Sequence, residues 1–85
     1  MPCERKLDAL EALVSRLPKQ SELIRRRFWR DPEFRAVCED YRDVLDAMTK
    51  LEQAQPPDPG RAEEHRQLAD ELLAEAVGIL ASEGE

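Results

Sequence analysis

The run Arg25-Arg26-Arg27-Phe28-Trp29-Arg30 holds the residue types that point most directly to binding. Guanidinium groups contact phosphates and carboxylates, and aromatic rings stack on bases or anchor protein interfaces. A nucleic acid or an anionic membrane surface is therefore one hypothesis for the partner of this run. The other is that Phe28 packs inward while the arginines pair with acidic helices or with a protein. For Trp29, core, rim and interface positions all stay open.

The other polar residues do not indicate metal binding or catalysis. His65 is the only histidine, and the expected hairpin places it roughly 18 Å from Cys38, too far for one zinc site. Paired carboxylates such as Glu63-Glu64 point about 100° apart on a helix, which suits solvated faces better than a cooperating acid and base. No glycine-rich phosphate loop and no nucleophile beside a base is present. We expect a protein that is not an enzyme and has no cofactor or metal.

The charges divide the chain into two parts. Residues 1–30 hold eight basic and four acidic side chains, a net charge of +4, whereas residues 31–85 hold five basic and fifteen acidic ones, a net charge of −10. The acidic part repels a polyanion, and no basic recognition helix follows a glycine-containing turn. The sequence therefore favours a protein partner or a homo-oligomer over a nucleic acid.

Hydrophobic spacing predicts helices along the whole chain, so the expected fold class is all-α. An N-terminal helix over residues 3–17 should stop at Pro18, because proline disfavours helical geometry in the residue before it. A basic helix over residues 19–30 follows, with its apolar side chains on one side. A chain of this length forms a single small helical domain, residues 1–85.

Two longer helices, residues 32–54 and 61–81, are predicted to form an antiparallel hairpin around a proline-rich hinge, residues 55–60. The first carries a three-four repeat of the coiled-coil type. Both are preceded by an Asp-Pro pair, in which aspartate accepts a hydrogen bond from a free backbone N–H and proline fits the first turn. The predicted core of the hairpin comprises Phe34, Val37, Cys38, Tyr41, Val44, Leu45, Met48, Leu51, Leu68, Leu72, Ala76 and Ile79.

The apolar stripes of this hairpin are too wide for two helices to bury against each other. Either the N-terminal helices cover them or a second copy does, so the sequence predicts a helical bundle completed within one chain or by dimerisation. Whether residues 3–17 pack on their own chain or on a neighbour stays open. The leading functional hypothesis is a non-enzymatic module for protein interaction or self-association.

A family resemblance rests on a D-x-x-F pattern, a later tyrosine and the order of the helices. The residues that carry it are Asp31-Pro32-Glu33-Phe34, Val37, Tyr41, Leu45, Met48, Leu51-Glu52 and, after a loop, residues 68–80. Over about residues 31–80 the chain resembles the small bacterial YdcH-like proteins, which are short helical hairpins of unassigned function. The resemblance implies an interaction protein without a cofactor, and it carries over no catalytic residue.

Composition also bears on location. The longest apolar runs are about five residues, well below the roughly 20 that a membrane span needs, and charges interrupt the N-terminus too early for a secretory signal. Cys3 and Cys38 are expected to stay reduced rather than form a structural disulfide. Arginine outnumbers lysine ten to three, as in GC-rich bacterial genomes. We expect a cytoplasmic bacterial protein.

Overall fold

The computed structural model describes the backbone of residues 2–83 and the side chains of residues 6–82. Over those residues it contains four α-helices and no β-strand, so the all-α prediction is confirmed. The helices are α1 (Pro2–Arg16), α2 (Ser21–Arg30), α3 (Pro32–Gln53) and α4 (Pro59–Glu83), with a short 3₁₀ helix, Pro18–Gln20, before α2. The helices α3 and α4 pack along each other as the hairpin, and α1 and α2 pack against α3.

One residue, Asp31, caps both the end of α2 and the start of α3. Its N–H donates to the Arg27 carbonyl at 2.8 Å, while its carboxylate accepts from the backbone N–H groups of Glu33 at 3.0 Å and Phe34 at 3.4 Å. The carboxylate also accepts from the Arg27 guanidinium at 2.9 Å. Desolvation alone would raise the pKa of Asp31, but these hydrogen bonds outweigh it and lower the pKa. Local chemistry therefore fixes the corner between the two helices.

Asp58 begins α4 by the same device, which moves the start of the helix ahead of the predicted residue 61. Its carboxylate accepts from the Arg61 N–H at 3.2 Å, and its own N–H donates to the Leu51 carbonyl at 3.2 Å. Pro59 then takes the first helical position, where no N–H is needed. The irregular hinge is consequently residues 54–58 instead of 55–60.

The predicted basic helix 19–30 is divided in the structure. Pro18 starts the separate 3₁₀ helix, and α2 begins only at Ser21. Just before this break, the Leu17 N–H donates to the carbonyls three and four residues earlier, at 3.2 and 3.0 Å. Such shared bonds are common where a helix ends. Helix α1 spans Pro2–Arg16 rather than 3–17, because the proline at residue 18 keeps Leu17 out of helical geometry.

All four helices contribute to one core. In the structure α1 packs on α3 of the same chain. Phe28 of α2 and Phe34 of α3 are fully buried on either side of the Asp31 corner. The buried cluster consists of Ala9, Leu10, Ala12, Leu13, Ile24, Phe28, Phe34, Val37, Cys38, Tyr41, Val44, Ala69, Ala76 and Leu80.

Leu68 is the predicted core residue that the structure places elsewhere. It is 45% exposed, whereas Ala69 beside it is buried. The buried row of α4 runs through Ala62, Ala69 and Ala76 at seven-residue steps, and small side chains there let α3 approach closely. Other predicted core residues are only half-buried, namely Leu45, Met48, Leu51, Leu72 and Ile79.

Substitutions at Asp31 test its role at the corner. Asp31→Ala removes both the helix cap and the partner of Arg27, whereas Asp31→Asn keeps a neutral acceptor for the backbone N–H groups. By thermal unfolding at neutral pH, we expect the wild type to be most stable, the asparagine variant intermediate and the alanine variant least stable.

The difference between wild type and Asp31→Asn should also depend on pH. Because the folded-state pKa is lowered, the carboxylate stabilises the fold above its unfolded pKa of about 3.9 and loses this effect as pH falls through the folded value. If Asp31→Ala had the same melting temperature as the wild type at neutral pH, Asp31 would not be needed at the corner.

Candidate functional site

The six residues of the predicted binding run divide between two sides of α2. Ile24 and Phe28, one turn apart, are fully buried and attach the helix to the core. Phe28 is therefore a core residue and not part of a binding surface. Trp29 lies about 100° further round the helix and is 55% exposed. Its ring meets that of Phe28 edge to face, with the ring centroids 4.9 Å apart.

Three arginines accompany Trp29 on the solvent side of α2. Arg25, Arg26 and Arg30 are all exposed. Arg25 and Arg26 precede Trp29 by four and three residues, the spacing at which helical side chains are neighbours. We call Arg25, Arg26, Trp29 and Arg30 the basic-aromatic surface.

The fourth arginine of the run has a structural role. Arg27 is half-buried, and its guanidinium donates to the Asp31 carboxylate at 2.9 Å. Arg25 is also engaged, since its guanidinium lies 3.4 Å from the Glu11 carboxylate of α1. That pair is exposed on both sides, so it contributes little stability and is easily exchanged for another acidic partner.

Folding brings together a second group of arginines that the sequence analysis did not single out. A groove of about 560 Å³ lies between α1, α3 and α4, and Arg16, Arg42 and Arg66 line it around an apolar floor. These residues are far apart in the sequence, so no local motif predicts that they lie together. Arg16 and Tyr41 line the groove together, and the pKa of the Tyr41 hydroxyl is raised chiefly by burial, while the Arg16 charge opposes this shift.

Carboxylates largely balance the charge of this groove. Arg42 pairs with Asp46 at 3.3 Å along α3, and Arg66 pairs with Glu63 at 3.5 Å along α4. Asp70 also lines the groove. The three arginines therefore do not form a strongly basic site, and the groove is a weaker candidate for anion binding than its arginine content indicates.

Both N-terminal helices lie on one side of α3. The Arg35 guanidinium donates to the Phe28 carbonyl of α2 at 3.1 Å. Arg42, seven residues later and thus on the same side of α3, lines the groove beside α1. The helices α1 and α2 consequently cover the same side of the hairpin.

The opposite side of the hairpin stays open. Arg66 and Asp70 of α4 face the groove beside α1, and Leu68 is two residues from each of them. Leu68 therefore points about 200° away from them, toward the uncovered side. Leu72 and Ile79 follow Leu68 by four and eleven residues, on nearly the same line, and both are half-buried. We call Leu68, Leu72 and Ile79 the open face of α4.

His65 and Cys38 are not brought together. His65 lines a shallow depression near the hinge with Leu51, and its Nδ1 is 2.9 Å from the Arg61 carbonyl oxygen. Cys38 is a free thiol within the core, while the side chain of Cys3 lies outside the described residues. Across the described side chains, no group of three or more His, Cys, Asp or Glu residues could hold a metal ion.

Two further findings concern the whole described chain. None of the helices traced between residues 2 and 83 is long and apolar enough to cross a membrane. No protein-family model matches the sequence, and no curated protein or solved structure is detectably similar to it. The resemblance of residues 31–80 to the YdcH-like proteins therefore stays a prediction.

Burial of Cys38 has a measurable consequence for stability at alkaline pH. Desolvation, assisted by the nearby Glu39 charge, raises the pKa of this thiol to about 12. Because the folded-state pKa is raised, the stabilisation is complete below the unfolded pKa of about 8.5 and is lost as pH rises toward 12. The free energy of unfolding should fall by up to about 1.4 kcal/mol per pH unit in this range through Cys38 alone.

A comparison with Cys38→Ala isolates this contribution. The variant should be less stable near neutral pH because it leaves a cavity, but its denaturant unfolding should depend less steeply on pH between about pH 9 and pH 10. All other ionisable groups are the same in both proteins, so their contributions cancel in the difference. Parallel pH profiles for the two proteins would refute the burial of a protonated thiol.

Proposed function

We propose that this chain is a non-enzymatic helical module that binds a protein partner through the basic-aromatic surface of α2. The observation that carries the proposal is Trp29, which is 55% exposed although Ile24 and Phe28 already anchor α2 in the core. A large aromatic side chain that the fold does not need for packing, with arginines around it, has the composition of an interface hot spot.

The surroundings of Trp29 support an anchoring role. The edge-to-face contact with the buried Phe28 ring favours the orientation of the indole seen in the structure, which reduces the number of torsions that binding must order. A rigid aromatic anchor therefore costs less conformational entropy on binding than a freely rotating one. The arginines beside it have long side chains that adapt to carboxylates at the rim of an interface.

Charge indicates what kind of partner fits. Arg25, Arg26 and Arg30 give the basic-aromatic surface a positive potential, although the whole chain has a net charge of −6. A partner with an apolar centre and an acidic rim is complementary to it. Because the contact is exposed, its electrostatic part should weaken as salt concentration rises.

A nucleic acid or an anionic membrane surface is the second candidate, and the exposure of all three arginines beside Trp29 is the observation in its favour. Glu22, also exposed, lies seven residues before Trp29 on the same side of α2, and Glu11 pairs with Arg25. These carboxylates weaken contacts to phosphates.

Fluorescence anisotropy with short single-stranded DNA and RNA, and sedimentation with anionic vesicles, separate this second function from the first. No binding at about 20 mM salt excludes a nucleic acid or an anionic membrane as the partner.

We further propose a bacterial protein of the cytoplasm. The arginine-rich composition supports this setting. The resemblance of residues 31–80 to the YdcH-like hairpins agrees with a bacterial interaction protein. The proposed contact surface lies on α2, ahead of the residues that carry the resemblance, so a partner shared with the family is not part of the proposal.

Replacing Trp29 tests the proposed surface. Trp29→Ala should abolish capture of the specific partner in affinity purification from the native host while its far-ultraviolet circular dichroism stays that of the wild type, because the core does not depend on this side chain. A control of similar exposure is Leu7→Ala on α1, since Leu7 is 47% exposed. That control should capture the same proteins as the wild type. If Trp29→Ala still captured the same partner as the wild type, the proposal would be contradicted.

A further inference from the structure

We infer that the partner is another copy of this chain, with the basic-aromatic surface of one copy docked on the open face of α4 in the next. The inference rests on the proposed function and names its partner. Four large apolar side chains are notably exposed among the described residues, and two of them, Trp29 and Leu68, lie in these two surfaces. Docking one surface on the other would remove both from water.

The open face has the charge that the basic-aromatic surface requires. Glu64, Glu71 and Glu75 are all exposed. They stand four residues before, three after and seven after Leu68, so they line the edge of the open face on its solvent side. An apolar row through Leu68 and Leu72 with glutamates along one edge complements a tryptophan flanked by arginines.

The two surfaces cannot meet within one chain. The helix α2 lies on the side of the hairpin that carries the Arg35 and Arg42 contacts, whereas Leu68 points to the opposite side. The complementarity between them is therefore available only to another molecule. Because the two surfaces lie on opposite sides of the hairpin, the contact is head-to-tail: each added copy leaves one surface of each kind free, so further copies add in an open series.

A second copy also suits the packing of the hairpin, because the N-terminal helices cover only one side of it. Half-burial of Leu72 and Ile79 shows that the open face is already close to the core, so covering it extends the existing apolar contact rather than creating an isolated one.

Charge reversal followed by mixing tests the inference. One variant carries Arg25→Glu and Arg26→Glu, and the other carries Glu71→Arg and Glu75→Arg. Each alone meets a surface of its own sign, so both should be monomers by light scattering after size exclusion at about 20 mM salt. When the two are mixed, every contact between unlike variants again joins opposite charges, and the mass should rise above that of the monomer, as it does for the wild type.

The wild type and a matched control complete the experiment. The wild type should associate, with a mass of two or more copies that rises with concentration, at about 20 mM salt and dissociate toward a monomer at about 500 mM salt. The control carries Arg42→Glu and Arg66→Glu, which change the net charge as much as the first variant does but lie in the groove beside α1. It should associate like the wild type, which excludes net charge as the cause.

Three results would overturn the inference: a monomeric wild type at micromolar concentrations and low salt, a charge-reversed variant that associates alone, or a mixture that stays monomeric. The first result, together with Trp29-dependent capture of a different protein, would leave the proposed function standing and remove only the second copy as its partner. A monomer that also captures nothing through Trp29 would remove both.

Discussion

The wide apolar face of α3 is the constraint on which the other elements depend. Phe34, Cys38 and Tyr41 are buried along it, and α4 alone cannot cover so much surface. The helices α1 and α2 pack on the part that α4 leaves exposed, and Leu10, Leu13 and Ile24 complete the core from that side. Asp31 makes this possible by turning the chain sharply between α2 and α3. Without the corner, Phe28 and Phe34 would not enter the same cluster.

The same arrangement divides the outside of the molecule into two unlike surfaces. Because α2 is attached through Ile24 and Phe28, its arginines and Trp29 are directed to solvent on the covered side of the hairpin. On the other side α4 has no helix of its own chain over Leu68, which is 45% exposed, and glutamates stand along that edge. The uneven charge of the sequence thus becomes a spatial separation between a basic-aromatic surface and an acidic, apolar one.

The helix starts and the hairpin could be predicted from local chemistry. The placement of side chains on α4 could not. In an Asp-Pro pair the aspartate accepts hydrogen bonds from free backbone N–H groups and the proline fits the first turn. Asp31 and Asp58 therefore mark the starts of their helices in the sequence. The apolar residues of α4 lie all round the helix, and the choice between Leu68 and Ala69 depends on how closely α3 approaches. The arginine groove beside α1 was not predictable either, because Arg16, Arg42 and Arg66 meet only after folding.

A spin label on α1 tests most directly whether the N-terminal helices cover their own hairpin. Ser15, which lines the groove with Arg66 and Asp70, can be labelled as Ser15→Cys in a Cys3→Ser background, since Cys38 is buried. At high salt, the amide signals of Arg66 and Asp70 should broaden when the spin label and ¹⁵N are on the same chain. They should stay sharp when spin-labelled ¹⁴N chains are mixed with ¹⁵N chains that carry no spin label. Broadening of these signals only in the mixture would show that α1 packs on a neighbour, contrary to this account.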